Sequence, residues 1–291
     1  MGPIMEETVG LGAILHDPRR SDRAACLALM ITANQPDCLE QMLAALLEES
    51  QTRGYVQVIG PTGFSMHLGS GLLVDHWKDT PPLYTAYDPP YMAETVLSVM
   101  TPVQTTRLYH LVVPAETQEA ARPAHLTTCN LVDLKTDLLP LFQAATGSNP
   151  LAVELDALEA DFLLDWIDAW PITIWLAIYQ DRPSGIALLQ PDVSPFLKQA
   201  NGGRWPWWRL WLRLAMRQPI RAGRIVFGGV TPEARGLGIG NQLLAQCLKT
   251  AQEKGWEELT IGPIPDESPA ARLLVQNGAQ PRQTYHHYQW P

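Results

Sequence analysis

The sequence predicts an α/β protein of the layered α+β type, and three observations support this fold class. Apolar segments with strand-like and helix-like periodicity alternate along the chain and are joined by short connections. Apolar residues make up 46% and charged residues 18% of the 291 residues, a composition that excludes general disorder. The chain also contains an internal repeat, and its length corresponds to two domains of roughly 150 residues each.

The repeat is visible in two pairs of segments. Residues 53–61 (RGYVQVIGP) are similar to residues 254–263 (KGWEELTIGP), and each segment follows a stretch whose apolar residues lie on one face of a helix. Each pattern predicts a helix, a glycine stop, a buried strand and a Gly-Pro pair. A second pair of segments matches without gaps at an offset of 179: Pro90, Val96, Pro102, Gln104, Thr105 and Tyr109 coincide with Pro269, Val275, Pro281, Gln283, Thr284 and Tyr288.

We therefore predict two copies of one α/β unit, in domains at residues 1–122 and 123–291. Residues 114–124 (PAETQEAARPA) are polar and flanked by proline, which is typical of a linker. The first copy is predicted to be truncated, with strands only at 9–15 and 24–32 before its helix, and its Pro81-Pro82 and Pro89-Pro90-Tyr91 segments predict a rigid loop. The second copy is longer, with predicted helices at 134–145 and 155–169 and predicted strands at 172–179, 185–190 and 224–231.

A glycine-rich turn follows the last of these strands. It runs VTPEARGLGIGN from Val230 to Asn241 and has three alternate glycines. Glycine lets the backbone approach a ligand closely, and the following helix begins with unpaired N–H groups at the positive end of its dipole. This arrangement predicts a pyrophosphate site to which Arg235 adds positive charge, although a tight turn that binds nothing is the alternative interpretation. The spacing differs from the G-x-G-x-x-G dinucleotide fingerprint.

The segment from Arg235 to Gly240 resembles the (Arg/Gln)-x-x-Gly-x-(Gly/Ala) loop of the GNAT superfamily of acyl-CoA N-acyltransferases. The wider run, Val-x-Pro-x-x-Arg-Gly-x-Gly-Ile-Gly-x-x-Leu-Leu, is similar to that family's pyrophosphate motif at almost every position. The resemblance covers about residues 126–291. It implies the GNAT fold, with a central mixed, mostly antiparallel sheet flanked by helices. It further implies a tandem protein whose first GNAT-like unit is shortened and degenerate.

The resemblance also implies acetyl-CoA as co-substrate and an amine as acceptor. The amides from Arg235 to Gly240 are then expected to hold the pyrophosphate, and the Val230 main chain is expected to pair with the pantetheine arm. Independently, Gly228-Gly229 suits a bulge or a close backbone approach, and Pro263 and Pro265 predict that their strand parts from its neighbour. The expected cofactor-binding residues are Gly229, Val230, Arg235, Gly236, Leu237, Gly238, Ile239, Gly240, Asn241, Ser268 and Ala271. In the first copy the loop position reads TANQPD at 32–37, which predicts no CoA binding.

The catalytic pattern departs from the family. Ser268 and Leu274 stand where the family often has Asn and Tyr, and residues 224–231 contain no carboxylate. Asp266 and Glu267 are candidate bases after the strand end, with an exposed turn as the alternative. His286 and His287 point to opposite faces of a strand, so only one can enter a cleft. Tyr285 and Tyr288 are candidate acids or ordinary strand aromatics, and Glu233 suits a helix-dipole charge. The catalytic candidates retained are Asp266, Glu267, Tyr285 and His286.

Residues 202–224 form an insertion with six arginines, four tryptophans and no acidic residue. Arg209, Arg213 and Arg217 recur every four residues opposite Trp208 and Trp211, which predicts an amphipathic helix that packs on the domain. An acceptor-side lid, a partner surface and a membrane-surface helix are the alternatives.

Charge and composition exclude several other classes of protein. The formal net charge of −9 argues against nucleic-acid binding, whereas residues 201–291 carry 11 basic and 6 acidic side chains and suit a polyanionic ligand. No apolar run is long enough for a transmembrane segment, and the acidic start does not resemble a signal peptide. Four scattered cysteines predict a reduced, cytoplasmic protein, and no pairs have metal-ligand spacing, so no metal is expected. A homodimer is compatible with the sequence.

These observations predict an N-acyltransferase, specifically an N-acetyltransferase, in which an unidentified amine attacks acetyl-CoA directly. Two alternatives remain: an acyl-CoA-binding sensor without turnover, and an interaction scaffold with a vestigial glycine loop.

Overall fold

A computed structural model describes residues 10–33, 35–63, 65–67, 69–116, 121–136, 138–146, 151–200, 207–215 and 217–291. By its contacts the chain forms two compact units. Unit 1 consists of Met1–Lys78, Tyr84–Thr106 and Gln283–Pro291, and unit 2 consists of Asp79–Leu83 and Arg107–Arg282. Parts of several predicted segments lie outside the described residues: 9 of the first strand, 34 of the TANQPD segment, 117–120 of the linker, 137 of the helix at 134–145, and 202–206 and 216 of the insertion.

Unit 1 contains a small mixed sheet covered by two helices. Strand β1 pairs antiparallel with β2, and β2 pairs parallel with β3. Helix α1 places Leu39, Leu43 and Leu47 in the core, because these residues recur on one helix face. The elements are β1 Gly10–His16, β2 Ala24–Thr32, α1 Pro36–Thr52, β3 Gln57–Thr62, β4 Leu72–Leu73, α2 Pro90–Val99 and the first half of β5 Thr101–Val112.

Unit 2 is larger and has helices on both faces of its sheet. Its elements are β6 His125–Cys129, α3 Leu131–Thr136, α4 Leu139–Thr146, α5 Ala157–Asp168, β7 Thr173–Tyr179, β8 Arg182–Pro191, α6 Ser194–Gln199, α7 Trp208–Ala215, β9 Ala222–Val230, α8 Ile239–Glu253, β10 Glu258–Pro265, α9 Pro269–Gln276 and the start of β11 Gln280–Trp290. Strands β6 to β9 pair antiparallel in sequence order, and β9 pairs parallel with β10.

Alternating residues of β8 explain the two covered faces of unit 2. Ala187 and Leu189 belong to the core that includes Leu243 and Cys247 of α8. The residues of β8 that alternate with these point to the opposite face of the sheet. On that face α4 contacts β8 and β9, and the ring of Phe142 meets that of Phe227 edge-on at 5.2 Å. The fold class is therefore confirmed: a mixed, mostly antiparallel sheet flanked by helices.

Each unit is completed by a strand from the other copy of the repeat. The last strand, β11, pairs with β3 in unit 1 through Tyr288 and Gly60, although it ends the second copy. Conversely, the second half of β5 belongs to unit 2, where β5 neighbours β10. The compact units therefore do not coincide with the predicted boundary between residues 122 and 123. That boundary follows the sequence repeat and stays a prediction.

The predicted repeat of helix, glycine stop, strand and Gly-Pro is confirmed in both copies. Helix α1 is followed by Gly54 and β3, and helix α8 by Gly255 and β10. Gly54 and Gly255 have φ of 78° and 71°, the left-handed conformation that ends a helix. The two Gly-Pro pairs, at residues 60–61 and 262–263, lie within these strands.

Two local predictions are wrong, and proline explains both. The predicted single helix at 134–145 is two helices, α3 and α4, because Pro140, in the first turn of α4, cannot donate a hydrogen bond to the preceding turn. The segment containing Pro90 and Tyr91 is the start of α2 and not a rigid loop, since proline suits the first turn of a helix.

The arginine- and tryptophan-rich insertion contains the predicted helix, α7. Trp208 and Trp211 are half-buried, as expected for a helix that packs on its domain. Trp207, Leu210 and Leu214 are, however, 68%, 56% and 50% exposed. In the described part of the chain, no helix has the length and apolarity needed to cross a bilayer. All four cysteines are free thiols, and Cys26 and Cys247 are buried.

The packing of Trp256 on β9 gives a testable prediction. A Cβ at Gly223 would lie 2.0 Å from Cε3 of the buried Trp256 ring, so Gly223→Ala must displace the indole. We expect the free energy of unfolding to fall by about 1–3 kcal/mol, as for other overpacked cores. Chemical denaturation followed by tryptophan fluorescence measures this change.

Gly228→Ala, on the same strand, is the matched control. Its Cβ would have 3.7 Å to the nearest atoms, which is ordinary contact, so stability should change by less than about 0.5 kcal/mol. Equal effects of the two substitutions would contradict the assigned packing of Trp256.

Candidate functional site

The glycine-rich turn joins β9 to α8 in unit 2. After Val230, Thr231 donates its N–H to the Ser184 carbonyl at 2.9 Å, and a 3-10 turn follows at Pro232–Ala234. Ala234 is buried and fixes this turn against the core. Gly236 and Gly238 have φ of 79° and 83°, and Gly238 is the N-cap residue of α8. These two positions require glycine because other residues rarely adopt this conformation.

The turn presents a row of unused backbone donors. The first N–H that bonds back into α8 is that of Gln242, which reaches the Gly238 carbonyl at 3.1 Å. For the amides from Gly236 to Asn241 no acceptor is found among the described residues. A Cβ built on Gly236 meets no atom within 4 Å, and one on Gly238 meets only Pro123 at 3.9 Å. The residues therefore fit a diphosphate, which needs several convergent N–H groups and open space in front of them.

Helix α8, which begins within this row of amides, is fixed to the rest of unit 2 by hydrogen bonds and by core packing. Gln242 is buried and exchanges two hydrogen bonds with the Ala124 backbone, accepting at 3.1 Å and donating at 2.7 Å. Leu243 and Cys247 pack into the core of unit 2. A Cβ on Gly240 would lie 3.0 Å from Leu273 of α9, so this glycine allows the two helices to pack closely. These contacts fix the position of α8 and of the amides at its start.

Next to the turn, β9 and β10 separate. Their parallel pairing runs from Ala222 with Glu258 to Ile225 with Ile261, and no pairing follows it. The next residue, Gly262, has φ of 108°, and Pro263 and Pro265 have no N–H to donate. The predicted parting of the strands is confirmed. We call the gap between Val226–Val230 and Gly262–Pro265 the wedge.

The predicted bulge lies at a different residue. The pairing of β8 with β9 shifts between Phe227 and Ile225, so Val226 is the extra residue, and Gly228 and Gly229 pair regularly with Ala187 and Ile186. The shift occurs next to Ile225, where the pairing with β10 also ends. Loss of pairing on one edge of β9 therefore coincides with irregular pairing on the other.

In the described part of unit 1, the strands show no equivalent of the wedge. There β2 and β3 pair from Ala24 with Gln57 through Cys26 with Ile59, and a further pair, Ala28 with Thr62, follows a bulge. A Cβ on Gly60 would lie 2.6 Å from the Leu27 carbonyl, which shows how closely the strands approach. The expectation that the first copy binds no CoA stays a prediction, and this closed ladder supports it.

The remaining predicted cofactor residues have identified structural contacts. Val230 accepts a hydrogen bond at 3.3 Å from the exposed Arg235 side chain. The Asn241 side chain accepts one at 3.1 Å from Asn277. Ser268 caps α9 by accepting from the Ala271 N–H at 3.1 Å, and Ala271 is buried. Their contact with a cofactor stays a prediction.

Two of the four catalytic candidates lie in unit 2. Asp266 follows β10 and forms an ion pair with Arg107 of β5 at 3.1 Å. Its other oxygen, Oδ1, is buried and has no hydrogen-bond partner among the described residues. Glu267 is exposed. Asp266 is therefore the carboxylate that the structure leaves available for a buried donor.

Tyr109 is a candidate that the sequence reasoning missed. It lines a cavity of about 300 Å³ beside α9 together with Asp266, Ala271, Arg272, Val275 and Gln276. Burial, and secondarily the charge of Asp266, raise the pKa of its phenol, while Arg107 acts in the opposite direction. The match of Tyr109 to Tyr288 in the repeat was the available signal. Leu274 is in the core, whereas Val275, 55% exposed, faces this cavity.

The other two candidates lie in unit 1. Tyr285 is fully buried and pairs with Leu73, and His286 pairs with Leu72 and has its ring 6.1 Å from that of Tyr288. Their catalytic role stays a prediction. His287 is also buried, and its Nε2 lies 2.9 Å from the hydroxyl of Ser70. The described residues contain no group of three or more His, Cys, Asp or Glu side chains placed to hold a metal ion.

Comparison with known proteins identifies the family. Residues 137–279 match the Acetyltransferase (GNAT) family. No curated protein sequence matches the chain. Residues 137–279 therefore form a domain of the GNAT acetyltransferase family, and this domain lies within the second copy of the repeat.

Solved structures of this family share the fold over nearly the whole chain. A GCN5-related N-acetyltransferase from Sphaerobacter thermophilus has a TM-score of 0.54 at 13% identity, covering 97% of this chain and 76% of its own. A tandem GNAT protein from the clavulanic acid biosynthesis pathway has a TM-score of 0.57 at 10% identity, covering 97% and 78%. A glucosamine N-acetyltransferase region of a fungal β-N-acetylglucosaminidase reaches 0.57 at 16% identity, covering 97% and 31%. At these identities the likeness concerns the fold alone.

The buried His287 gives a pH-dependent prediction. Burial lowers its pKa from 6.5 to about 4, so the unfolded chain binds a proton at pH values where the folded chain does not. The stability that neutral His287 provides is present above pH 6.5 and is lost as the pH falls towards 4. We expect His287→Gln to remove this loss, which amounts to about 3 kcal/mol over the interval.

The measurement is the difference in free energy of unfolding between wild type and variant from pH 7 to pH 4. The difference is needed because burial also raises the pKa of Asp88 to about 6, and that contribution has the opposite sign. His286→Gln, at the half-buried neighbour, is the control. A pH-independent difference for His287→Gln would show that this imidazole is not buried in neutral form.

Proposed function

We propose that the protein is an N-acetyltransferase that transfers the acetyl group of acetyl-CoA to an amine by direct attack. One observation carries the proposal: a row of unpaired amides before α8 stands beside a wedge in the sheet. A diphosphate at the amides places its attached arm along the free edge of β9. The four free thiols, two of them buried, suit a reducing compartment such as the cytoplasm, which we include in the proposal.

The chain's own groups then have separate roles. The amides from Gly236 to Asn241 bind the diphosphate, helped by the dipole of α8. The unpaired edge from Val226 to Val230 binds the pantetheine amides as a neighbouring strand would. When bound, acetyl-CoA supplies a thioester: the amine nitrogen bonds to its carbonyl carbon, the carbon–sulfur bond breaks, and the amine loses a proton while the thiolate gains one. Orientation in such a site contributes up to about 7–11 kcal/mol.

Proton transfer is assigned to unit 2 residues. Asp266 Oδ1 is buried without a partner among the described residues, so it can accept a hydrogen bond from an ammonium group of the acceptor. Tyr109, with its raised pKa, remains protonated at neutral pH and can donate. β9 provides no acid or base of this kind, since its only titratable side chain is Arg224.

A second candidate function is an acyl-CoA sensor without turnover. It is favoured by the aliphatic Leu274 and Val275 on α9, where the family often has a tyrosine, and by the absence of a carboxylate on β9. A scaffold with a vestigial loop is the third. Calorimetry with acetyl-CoA separates the scaffold from the other two, and release of free thiol with a panel of amines separates enzyme from sensor. Undetectable heat with acetyl-CoA would end both CoA-based interpretations.

The glycine turn itself is tested by Gly238→Glu. The substitution places a carboxylate in front of the amides, where it competes with and repels a diphosphate. We expect the Kd for acetyl-CoA to rise by about a hundredfold or more. The positive φ of this position strains a non-glycine residue by about 1–2 kcal/mol. The fold should nevertheless persist, because the introduced Cβ meets open space and an acid suits a helix N-terminus.

Gly255→Glu is the matched control at the other end of the same helix. Gly255 has a similar φ of 71° and equally open surroundings, so the backbone strain is comparable. Its acetyl-CoA affinity should stay within about twofold of wild type. Unchanged affinity in Gly238→Glu, or an equal loss in both variants, would refute the site assignment.

A further inference from the structure

Arg224 is a buried cation at the narrow end of the wedge. It lies on β9, where it pairs with Thr260 of β10 and Gln190 of β8, and it is only 3% exposed. A buried guanidinium is costly unless its N–H groups are satisfied. Its position is one residue before Ile225, at which pairing with β10 ends.

The guanidinium of Arg224 connects two segments that are distant in sequence. One terminal nitrogen donates to the Leu83 carbonyl, and the other donates to the Gly262 carbonyl at 2.8 Å. Gly262 is the first residue of β10 beyond the last pair with β9. Arg224 therefore holds the residue at which β10 turns away, and it fixes that residue relative to the segment Asp79–Leu83.

The segment Asp79–Leu83 comes from the first copy of the repeat but is built into unit 2. Both backbone groups of Leu83 are used, since its N–H donates to the Ser194 hydroxyl at 2.7 Å. Pro81 and Pro82 stiffen the segment between its attachment points. Two further side-chain contacts hold it: Asp79 to Arg282 at 3.1 Å, and Thr80 to Lys198 at 3.0 Å.

We propose that Arg224 is a positioning residue of the acyl site and that the segment Asp79–Leu83 forms the fixed floor of the wedge. Arginine suits this role because its planar fork directs separate N–H groups at two acceptors, whereas the lysine ammonium lies at the end of a single flexible chain. Through Arg224, the first copy sets the width of the wedge in the second. This inference rests on the proposed function.

The test compares Arg224→Lys with Arg221→Lys by calorimetry. Two probes are used: acetyl-CoA, which extends into the wedge, and adenosine 3′,5′-bisphosphate, which lacks the pantetheine arm. We expect Arg224→Lys to raise the Kd for acetyl-CoA about tenfold and to leave that for the nucleotide within about twofold. Arg221, whose side chain is 71% exposed and pairs with Glu257, is the control and should change neither value.

Hydrogen–deuterium exchange tests the bridge without any ligand. In Arg224→Lys, peptides covering residues 79–84 and 258–264 should both exchange at least about tenfold faster. Ser194→Ala, which removes only the acceptor of the Leu83 N–H, should speed exchange in both peptides by a smaller factor than Arg224→Lys. If Arg224→Lys does not fold, this variant tests the same coupling between the two segments.

The outcomes distinguish this inference from the proposed function. If wild type binds no acetyl-CoA, the proposed function fails, and the exchange measurement alone decides whether Arg224 couples the two segments. Faster exchange in only one segment, or in neither, overturns the inference. So does an equal loss of affinity for both probes in Arg224→Lys, because a general loss of structure would produce that result.

Discussion

The pairing of β9 with β10 stops after Ile225 and Ile261, and the architecture of the candidate site depends on this break. A parallel ladder normally continues along two neighbouring strands, because each buried N–H and C=O needs a partner. Here the proline residues of β10 remove donors, and Gly262 turns the strand away. The edge of β9 beyond Ile225 is thereby left without pairing to β10, on the strand that leads into the glycine turn before α8.

The two copies of the repeat provide an internal comparison. Both have a helix, a left-handed glycine, a strand and a Gly-Pro pair, yet only unit 2 has an open wedge. In unit 1 the ladder resumes at Ala28 and Thr62, and no glycine turn precedes α1. The same order of helix, glycine and strand is therefore compatible with an open wedge in unit 2 and with a closed ladder in unit 1. The difference between the units lies in a few backbone hydrogen bonds.

Exchange of strands makes the two copies interdependent. Tyr109 and Arg107, encoded in the first copy, stand beside Asp266 in unit 2, and Leu83 is held by Arg224 and Ser194. Unit 2, which contains the GNAT domain, consequently includes side chains that the second copy does not encode. The first copy therefore contributes residues to unit 2 although its own sequence has no glycine turn before α1.

The sequence by itself determined the repeat, the order of helix, glycine, strand and Gly-Pro pair in both copies, and the glycine turn from Arg235 to Gly240. These features depend on local periodicity and on backbone preferences of Gly and Pro, which a sequence displays directly. Only the tertiary structure decided that β11 completes unit 1, that Tyr109 lies beside Asp266, and that Arg224 joins Leu83 to Gly262. Most of these contacts link residues more than a hundred positions apart, and no local preference encodes which carbonyl a buried guanidinium will reach.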